Sequence, residues 1–335
     1  MEQKLETVSI VIPIYNEEKY IENFIKSLLN QDYDFNKIEI VFIDGNSTDN
    51  TKKIIENTIK KENVDMKVLD NIDRITPKSL NIGIKVSKND IIIRLDAHSE
   101  YPQNYISKCV YYINNVAADN VGCTIETKSE GIIGKAIENV LSSKFGVGNS
   151  GFRTNAKSGY TDTVPFGTFR RSLFDKIGYF DERLARNQDS EFNSRIIKNG
   201  GKIYLFNDIS IIYHPRNTIR GLIKMAMLNG KWNLYTNYLV PGSMKIRHFI
   251  PFIYFISIII GILSIIFKME VIKYMFYLEM ILYLFLDIFF SFKNIKKGKL
   301  LNSFLCLILY PLFHISYGIG TFRGIFFTLR NRGRK

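Results

Sequence analysis

An α/β domain on a mostly parallel sheet, followed by an α-helical membrane region, is the fold class that the 335-residue sequence predicts. Three observations carry it. Short apolar runs alternate with segments of helical period through the first hundred residues, the pattern of βαβ units. Two of those runs end in acids, Asp44 and Asp96. Beyond about Arg247 the composition turns to Ile, Leu, Phe and Tyr, and Phe249 to Phe267 carries no charge over nearly the length of a bilayer span.

Val8 to Ile14 is an apolar run closed by Pro13 and by the polar Tyr15-Asn16-Glu17-Glu18, so it predicts a buried strand that delivers a loop. Ile21, Phe24, Ile25 and Leu28 then recur at helical spacing. Ile38 to Ile43 predicts a second strand, and the turn-rich Asp44 to Asp49 caps a helix beginning near Thr51. Val68-Leu69 predicts a short third strand, Ser79 to Val86 a helix, and Ile91 to Leu95 a fourth strand. In and after Asn187 to Arg195, Phe192, Ile196 and Ile197 fall on one helical face, which predicts a helix with Asp189 in its first turn, where the macrodipole favours an ionised acid. Ile209 to Tyr213 is the last strand-like run. Thr218 to Tyr238 is amphipathic and basic and suits an interfacial helix or a core helix equally.

Two further apolar stretches follow: Tyr274 to Phe292, with Glu279 and Asp287, and Leu300 to Phe322, with Pro311 and His314. Met1 to Glu6 lacks a basic segment leading into an apolar core, so no signal peptide is expected and the globular part belongs in the cytoplasm. Cys109, Cys123 and Cys306 have no ligand-like spacing, which argues against a zinc or disulfide framework. The net charge of +13 collects at Lys293, Lys296, Lys297 and Lys299 and again at Arg330, Arg332, Arg334 and Lys335. Such clusters beside apolar stretches are what the positive-inside rule and anionic lipids select. No recognition helix or RNA-binding signature is present, so nucleic acid is not an expected partner.

The most informative stretch is Ile91 to His98, where an apolar strand ends in Asp96-Ala97-His98. In open α/β sheets ligands bind outside the carboxyl ends of the strands, which puts Asp96 and His98 where a substrate sits. A carboxylate with an imidazole suits Mg²⁺ or Mn²⁺, ions that also clamp diphosphates; the plain alternative is an Asx-type turn. There is no GxGxxG and no Walker sequence, which disfavours a dinucleotide enzyme or P-loop NTPase.

Val11-Ile12-Pro13-Ile14-Tyr15-Asn16-Glu17-Glu18, Ile43-Asp44-Gly45-Asn46-Ser47-Thr48-Asp49, Leu80-Asn81-Ile82-Gly83, Asp96-Ala97-His98 and Gln188-Asp189, in that order, resemble the motifs of family 2 inverting glycosyltransferases with the GT-A fold. The likeness is strongest to membrane-anchored enzymes of succinoglycan-type exopolysaccharide assembly, which share the Asp-Ala-His form and the Gly146-Val147-Gly148 stretch, and it covers roughly residues 7 to 240. Two positions depart from the family: Gly45 stands where many relatives have a second acid, and Gln188 where a Glu often precedes the base.

The resemblance implies a nucleoside-diphosphate sugar donor contacted by Pro13, Tyr15, Asn16, Glu17, Asp44, Asn81, Asp96 and Arg216, with Asp44 accepting hydrogen bonds from the base or ribose. Asp96 and His98 would hold Mg²⁺ or Mn²⁺, with His214 either a third ligand or an ordinary turn histidine. Asp189 would be the base that takes the acceptor's proton, with Glu191 or Asp162 next in line.

The acceptor would be lipid-linked or a polysaccharide, and membrane lipids would hold the enzyme as a multi-pass protein of the cell membrane. The expected organisation is a cytoplasmic catalytic domain over residues 1–215, interfacial helices over 216–248 and a membrane region over 249–335. A third full crossing would leave the basic C-terminus outside, so Pro311, Gly318, Gly320 and Gly324 predict a bent, re-entrant or interfacial last segment and a cytoplasmic end. A processive synthase is disfavoured because the single Trp232 lies in Asn229-Gly230-Lys231-Trp232 and not in a Gln-x-x-Arg-Trp motif. A non-catalytic nucleotide-sugar scaffold is the rival from another class, and it has no need of Asp96, His98 and Asp189 together.

Overall fold

A computed structural model describes residues 6–62, 64–215, 217–293 and 300–333. Val8–Ile14 (β1) lies between Ile38–Asp44 (β2) and Ile91–Arg94 (β4), parallel to both. Asp65–Asp70 (β3) extends the sheet beyond β2, again parallel. β1, β2 and β4 are covered on both faces, so β2 and β4 are buried at every residue and read in sequence as continuous apolar runs rather than alternating ones. The connecting helices are Ile21–Leu29 (α1), Thr51–Ile59 (α2) and Thr76–Val86 (α3). The last begins three residues before the expected Ser79, because Pro77 suits a first helical turn whose N–H groups have no partner anyway.

Ser99–Glu100 (β5), Tyr105–Asn115 (α4) and Asn120–Thr127 (β6) follow, then Gly131–Ser142 (α5) and Lys144–Val147 (α6). Gly159–Thr161 (β7), Thr168–Arg170 (β8), Arg171–Ile177 (α7), Gln188–Lys198 (α8) and Ile203–Tyr213 (β9) complete the sheet region. Among the described residues the strand order is β3-β2-β1-β4-β8-β6-β9-β5, with β7 also on β9. The β8 pairings with β4 and β6 and the β9 pairings with β5 and β7 are antiparallel, so the sheet is mixed, parallel only in its first half.

The chain divides into two compact units. The sheet unit runs to Glu126 and resumes over Asn155–Tyr213; the other holds Thr127–Thr154 and everything from His214. The division shows a strong charge asymmetry. From Thr127 to Thr154 and from His214 onward there are 21 Lys and Arg against 5 Asp and Glu, a net +16, while the sheet unit's sequence is net −3. The basic character of the protein is therefore a property of its helical unit. Residues 127–154, expected within the 1–215 domain, cluster with the helices because Ala136, Ile137, Val140 and Leu141 of α5 share one apolar core with residues of the C-terminal helices.

Those helices are Ile219–Leu239 (α9), Ile246–Ile266 (α10), Glu270–Phe292 (α11) and Leu300–Arg330 (α12); the last three are long and apolar enough to cross a membrane. The expected break in the last segment is not there. α12 is one helix of 31 residues, about 46 Å at 1.5 Å per residue, running through Pro311.

Its glycines serve close packing and not bending. A Cβ on Gly320 would stand 2.1 Å from the Met227 carbonyl oxygen, and one on Gly318 2.7 Å from that of Pro251. From the other side, a Cβ on Gly230 of α9 would stand 2.2 Å from the Tyr317 carbonyl oxygen. Small residues let helix backbones approach this closely, whatever the surrounding solvent. The apolar stripe of α9 is thereby covered by α12, with Trp232 and Tyr235 edge-on to Phe327. The basic 293–299 loop lies mostly outside the described residues, as do Arg334 and Lys335.

Candidate active site

The carboxyl ends of β1, β2 and β4 open on the same edge of the parallel half-sheet, on either side of the point where chain order reverses, and ligand crevices form at such points. The loops after β1 and β2 are knitted together there. Asn16, left-handed at φ 54°, accepts from the Thr48 N–H at 2.8 Å through its amide oxygen and donates its own N–H to Ser47 Oγ at 3.0 Å. The Glu17 N–H donates to Thr51 Oγ1 at 2.8 Å. Gly45 packs closely against β1: its N–H meets the Ile14 carbonyl at 2.8 Å, and a Cβ would come within 3.2 Å of that oxygen, a tight contact.

Pro13 is partly buried in β1, while the Tyr15 ring stands exposed, with the Arg74 guanidinium 5.8 Å above its centre. Asp44 is buried at the end of β2, where its carboxylate accepts from the Ser47 N–H at 3.0 Å and from Ser47 Oγ at 2.5 Å. Those bonds orient it and leave lone pairs for further donors. Asn81 is buried in α3 with its amide engaged by the 180–182 segment: it donates to the Phe180 carbonyl and to Glu182 at 2.9 Å each and accepts the Phe180 N–H at 2.9 Å. Its visible task is to hold that segment.

β4 ends at Arg94, and the next turn carries Asp96 and His98. The Asp96 N–H donates to Tyr101 Oη at 2.8 Å, which anchors the turn to a ring packed edge-on against Tyr105 and Phe166. His98 Nδ1 is 3.4 Å from Glu17 Oε1, and the ring meets Tyr213 edge-on. Burial disfavours a charged His98, but the Glu17 hydrogen bond and the Asp96 charge outweigh it and hold the imidazole above its ordinary value.

Asp189 occupies the first turn of α8 as expected, and the structure adds what binds it. Arg94 donates through Nη1 to Asp189 Oδ2 and through Nη2 to Asp96 Oδ1 at 3.1 Å. One guanidinium, 4% exposed, thus joins two acids on different elements. Burial opposes its charge, but Asp189 and then Asp96 outweigh that and raise it above its ordinary value. For Asp189, burial lifts the carboxyl, Arg94 pulls it down and Asp96 lifts it again, leaving it above the usual aspartate value. A carboxylate so raised suits a general base, whose proton affinity must approach that of its medium.

Glu191, the other acid of that helix, is buried and held by Arg195, Nε to Oε1 and Nη2 to Oε2 both at 2.8 Å, so it braces α8 against the 177–179 turn. Asp162 follows β7 in the chain, with Thr161 Oγ1 3.5 Å away. His214 begins the return of the chain into the helical unit. Arg216 lies outside the described residues. Sequence reasoning missed Arg94, Tyr101 and Arg74; a basic residue inside the apolar Ile91–Leu95 run was the signal available for the first, since a buried charge demands a partner.

Among the described residues no group of three or more His, Cys, Asp and Glu side chains gathers in metal-binding geometry. Asp96 with His98 nevertheless suits Mg²⁺ or Mn²⁺ of the kind completed by substrate, since Mg²⁺ is usually held by one or two carboxylates plus substrate phosphates.

Comparison with known proteins identifies the family. Residues 9–178 match the pattern of glycosyl transferase family 2. The dolichyl N-acetyl-alpha-D-glucosaminyl phosphate 3-beta-D-2,3-diacetamido-2,3-dideoxy-beta-D-glucuronosyltransferase of Methanococcus voltae is 30% identical over 231 residues, 67% of this chain and 71% of that protein. Succinoglycan biosynthesis protein ExoA of Rhizobium meliloti (strain 1021) is 32% identical over 209 residues, 62% of this chain but only 63% of ExoA. Among solved structures, the mannosyltransferase PcManGT of Pyrobaculum calidifontis, in complex with GDP-Man and Mn²⁺, shares the fold at a TM-score of 0.60 and 15% identity, over 98% of this chain and 88% of that one. S. aureus TarS 1-349 with UDP-GlcNAc gives 0.50 at 19% identity, over 72% of each chain. Motif order, strand topology and family pattern agree, and the chain is a family 2 glycosyltransferase with a GT-A core followed by helices long and apolar enough to span a membrane.

Proposed function

We propose that this enzyme transfers a sugar with inversion from a nucleoside-diphosphate donor to a lipid-linked or polysaccharide acceptor at the cytoplasmic face of the cell membrane. The observation that carries the reading is the cluster at the strand ends: a donor-side acid, Asp96, and an acceptor-side acid, Asp189, set on either side of one buried arginine. Tyr15 offers an exposed ring and Asp44 an oriented carboxylate to the nucleoside, with Pro13, Asn16, Glu17 and Asn81 shaping the same edge. Asp96 and His98 would hold Mg²⁺ or Mn²⁺, with Arg216 proposed as a diphosphate contact. When bound, the ion supplies Lewis-acid stabilisation of the departing diphosphate. Asp189 accepts the proton of the acceptor hydroxyl as that oxygen attacks from the face opposite the leaving group.

The dolichyl-linked sugar phosphate in the name of the Methanococcus voltae relative supports a lipid-linked acceptor, and the succinoglycan biosynthesis in ExoA's name supports a part in polysaccharide assembly. The helical unit supports membrane attachment, with its net +16 and the exposed apolar side chains of α10 and α11. The close packing of α12 along α9, which carries Arg220, Lys224 and Lys231, supports an α12 that stays beside this basic helix, leaving Arg330 and Arg332 on the cytoplasmic side. Membranes containing the full chain, supplied with a panel of UDP- and GDP-sugars and lipid extract, should release nucleoside diphosphate from one donor and label the lipid or glycan fraction. Release with no labelled acceptor in either fraction would overturn the acceptor assignment. A cysteine placed at Lys335 should resist an impermeant thiol reagent in intact cells, and ready labelling would mean that α12 crosses.

A further inference from the structure

Arg94 has no role in the chemistry proposed above, yet its side chain ties two acids of the site together. Its Nη1 and Nη2 go to different carboxylates, Asp189 and Asp96. The guanidinium carbon stands 5.2 Å from the centre of the Phe166 ring, and Phe166 takes a left-handed φ of 49° to present that ring. Its backbone is fixed too, the Arg94 N–H donating to the Gly167 carbonyl at 3.1 Å. A guanidinium carries its N–H groups in one rigid plane, so the direction from one acid to the other is set by the shape of a single group.

We propose that Arg94 is the positioning residue of the transfer step, fixing the base carboxylate of Asp189 relative to the donor-binding turn at Asp96. This rests on the assignment of those two acids to base and donor side. Attack on the anomeric carbon needs the acceptor oxygen, held by the base, in line with the departing diphosphate, held at the Asp96 turn. Arg94 makes that alignment a property of one side chain. Lysine keeps the positive charge that the two acids need, but its single nitrogen on a flexible stem cannot hold both in one plane.

The test uses the full-length enzyme and the donor found in the panel. Arg94→Lys should lower kcat about 100-fold, the cost of a misplacement near 1 Å, while donor KM, binding of the corresponding UDP or GDP, and the melting temperature stay close to wild type. In an Asp189→Asn background the same change should cost nothing further, because both substitutions disable one step. Equal losses in the two backgrounds, or wild-type kcat in Arg94→Lys while Asp189→Asn is inactive, would overturn the positioning role alone. Wild-type transfer by Asp189→Asn would instead overturn the base assignment beneath it. If Arg94→Lys fails to fold, Phe166→Leu keeps both ion pairs and removes the ring under the guanidinium together with its edge contact to Tyr101. It should show a smaller fall in kcat, again absent in the Asp189→Asn background, and an undiminished kcat would count against the proposal.

Discussion

Asp96→Asn separates the chemistry of the strand-end turn from its folding. Asparagine has nearly the same shape, and its amide oxygen can accept the bond that Asp96 Oδ1 now takes from Arg94 Nη2 at 3.1 Å. Arg94 keeps Asp189 as counter-ion, and the turn keeps its anchor from the Asp96 N–H to Tyr101 Oη at 2.8 Å. The pair is mostly buried, but Asn keeps the hydrogen bond and Arg94 keeps Asp189, so the change should cost no more than about 1 to 3 kcal/mol of stability.

Transfer should respond differently. The diphosphate departs with growing negative charge, and an amide binds a divalent ion far more weakly than a carboxylate does. Lewis-acid stabilisation contributes several kcal/mol, so a fall in kcat of about 10²- to 10⁴-fold is expected, or roughly 3 to 5.5 kcal/mol at 1.36 kcal/mol per decade. The assay is nucleoside-diphosphate release while Mg²⁺ or Mn²⁺ is titrated, with a melting curve of the same preparation. The variant should need more metal for any given rate and melt within a few degrees of wild type. Undiminished turnover by the wild-type enzyme in excess chelator would refute the reasoning.

Three further outcomes follow from the same structure. Because burial and Asp96 hold the Asp189 carboxyl above the usual aspartate value, and the base must be ionised to act, kcat should fall on acidification with a midpoint above that of an ordinary aspartate; a profile that stays flat down to that ordinary value would contradict the role. Glu39 is buried at the opposite end of β2, where burial raises its carboxyl but hydrogen bonds from Lys67 (2.6 Å), Ser9 (2.6 Å) and the Lys88 N–H (2.8 Å) outweigh that and hold it low. Its folded value lies below its unfolded one, so its contribution is complete above the unfolded carboxyl value and is lost as pH falls through the folded one. Glu39→Gln should therefore cost about 1.5–3 kcal/mol near neutrality, with the melting gap to wild type closing in acid, and a gap that widens in acid would reverse the sign argument. Gly320→Ala places a methyl where the Met227 carbonyl oxygen is 2.1 Å away, so α9 and α12 must separate; the melting temperature in detergent should drop by several degrees, and an unchanged value would mean that the helices are not packed this closely.

The sequence by itself determined the parallel half of the sheet and where its chemistry sits. β1, β2 and β4 are covered on both faces, so their apolar runs are continuous and their ends are sharply marked; Asp44 and Asp96 are legible because an acid abruptly closes each run. Helical period likewise placed Asp189 in a first turn. The antiparallel strands β5, β7 and β8 carry only two or three residues each, too few to show a period of two, and they appear only once β4 and β9 offer them edges.

What only the tertiary structure decided are the pairings between distant residues. Arg94 reaches an acid 95 positions away, and Asn81 closes on the 180–182 segment some hundred residues on; no local pattern records either, since side-chain partners are chosen by the folded surface and not by spacing. The same holds for α12. Its proline and glycines read locally as a hinge, yet the helix continues unbroken through them, and the glycines are the places where the backbones of α9 and α10 come close.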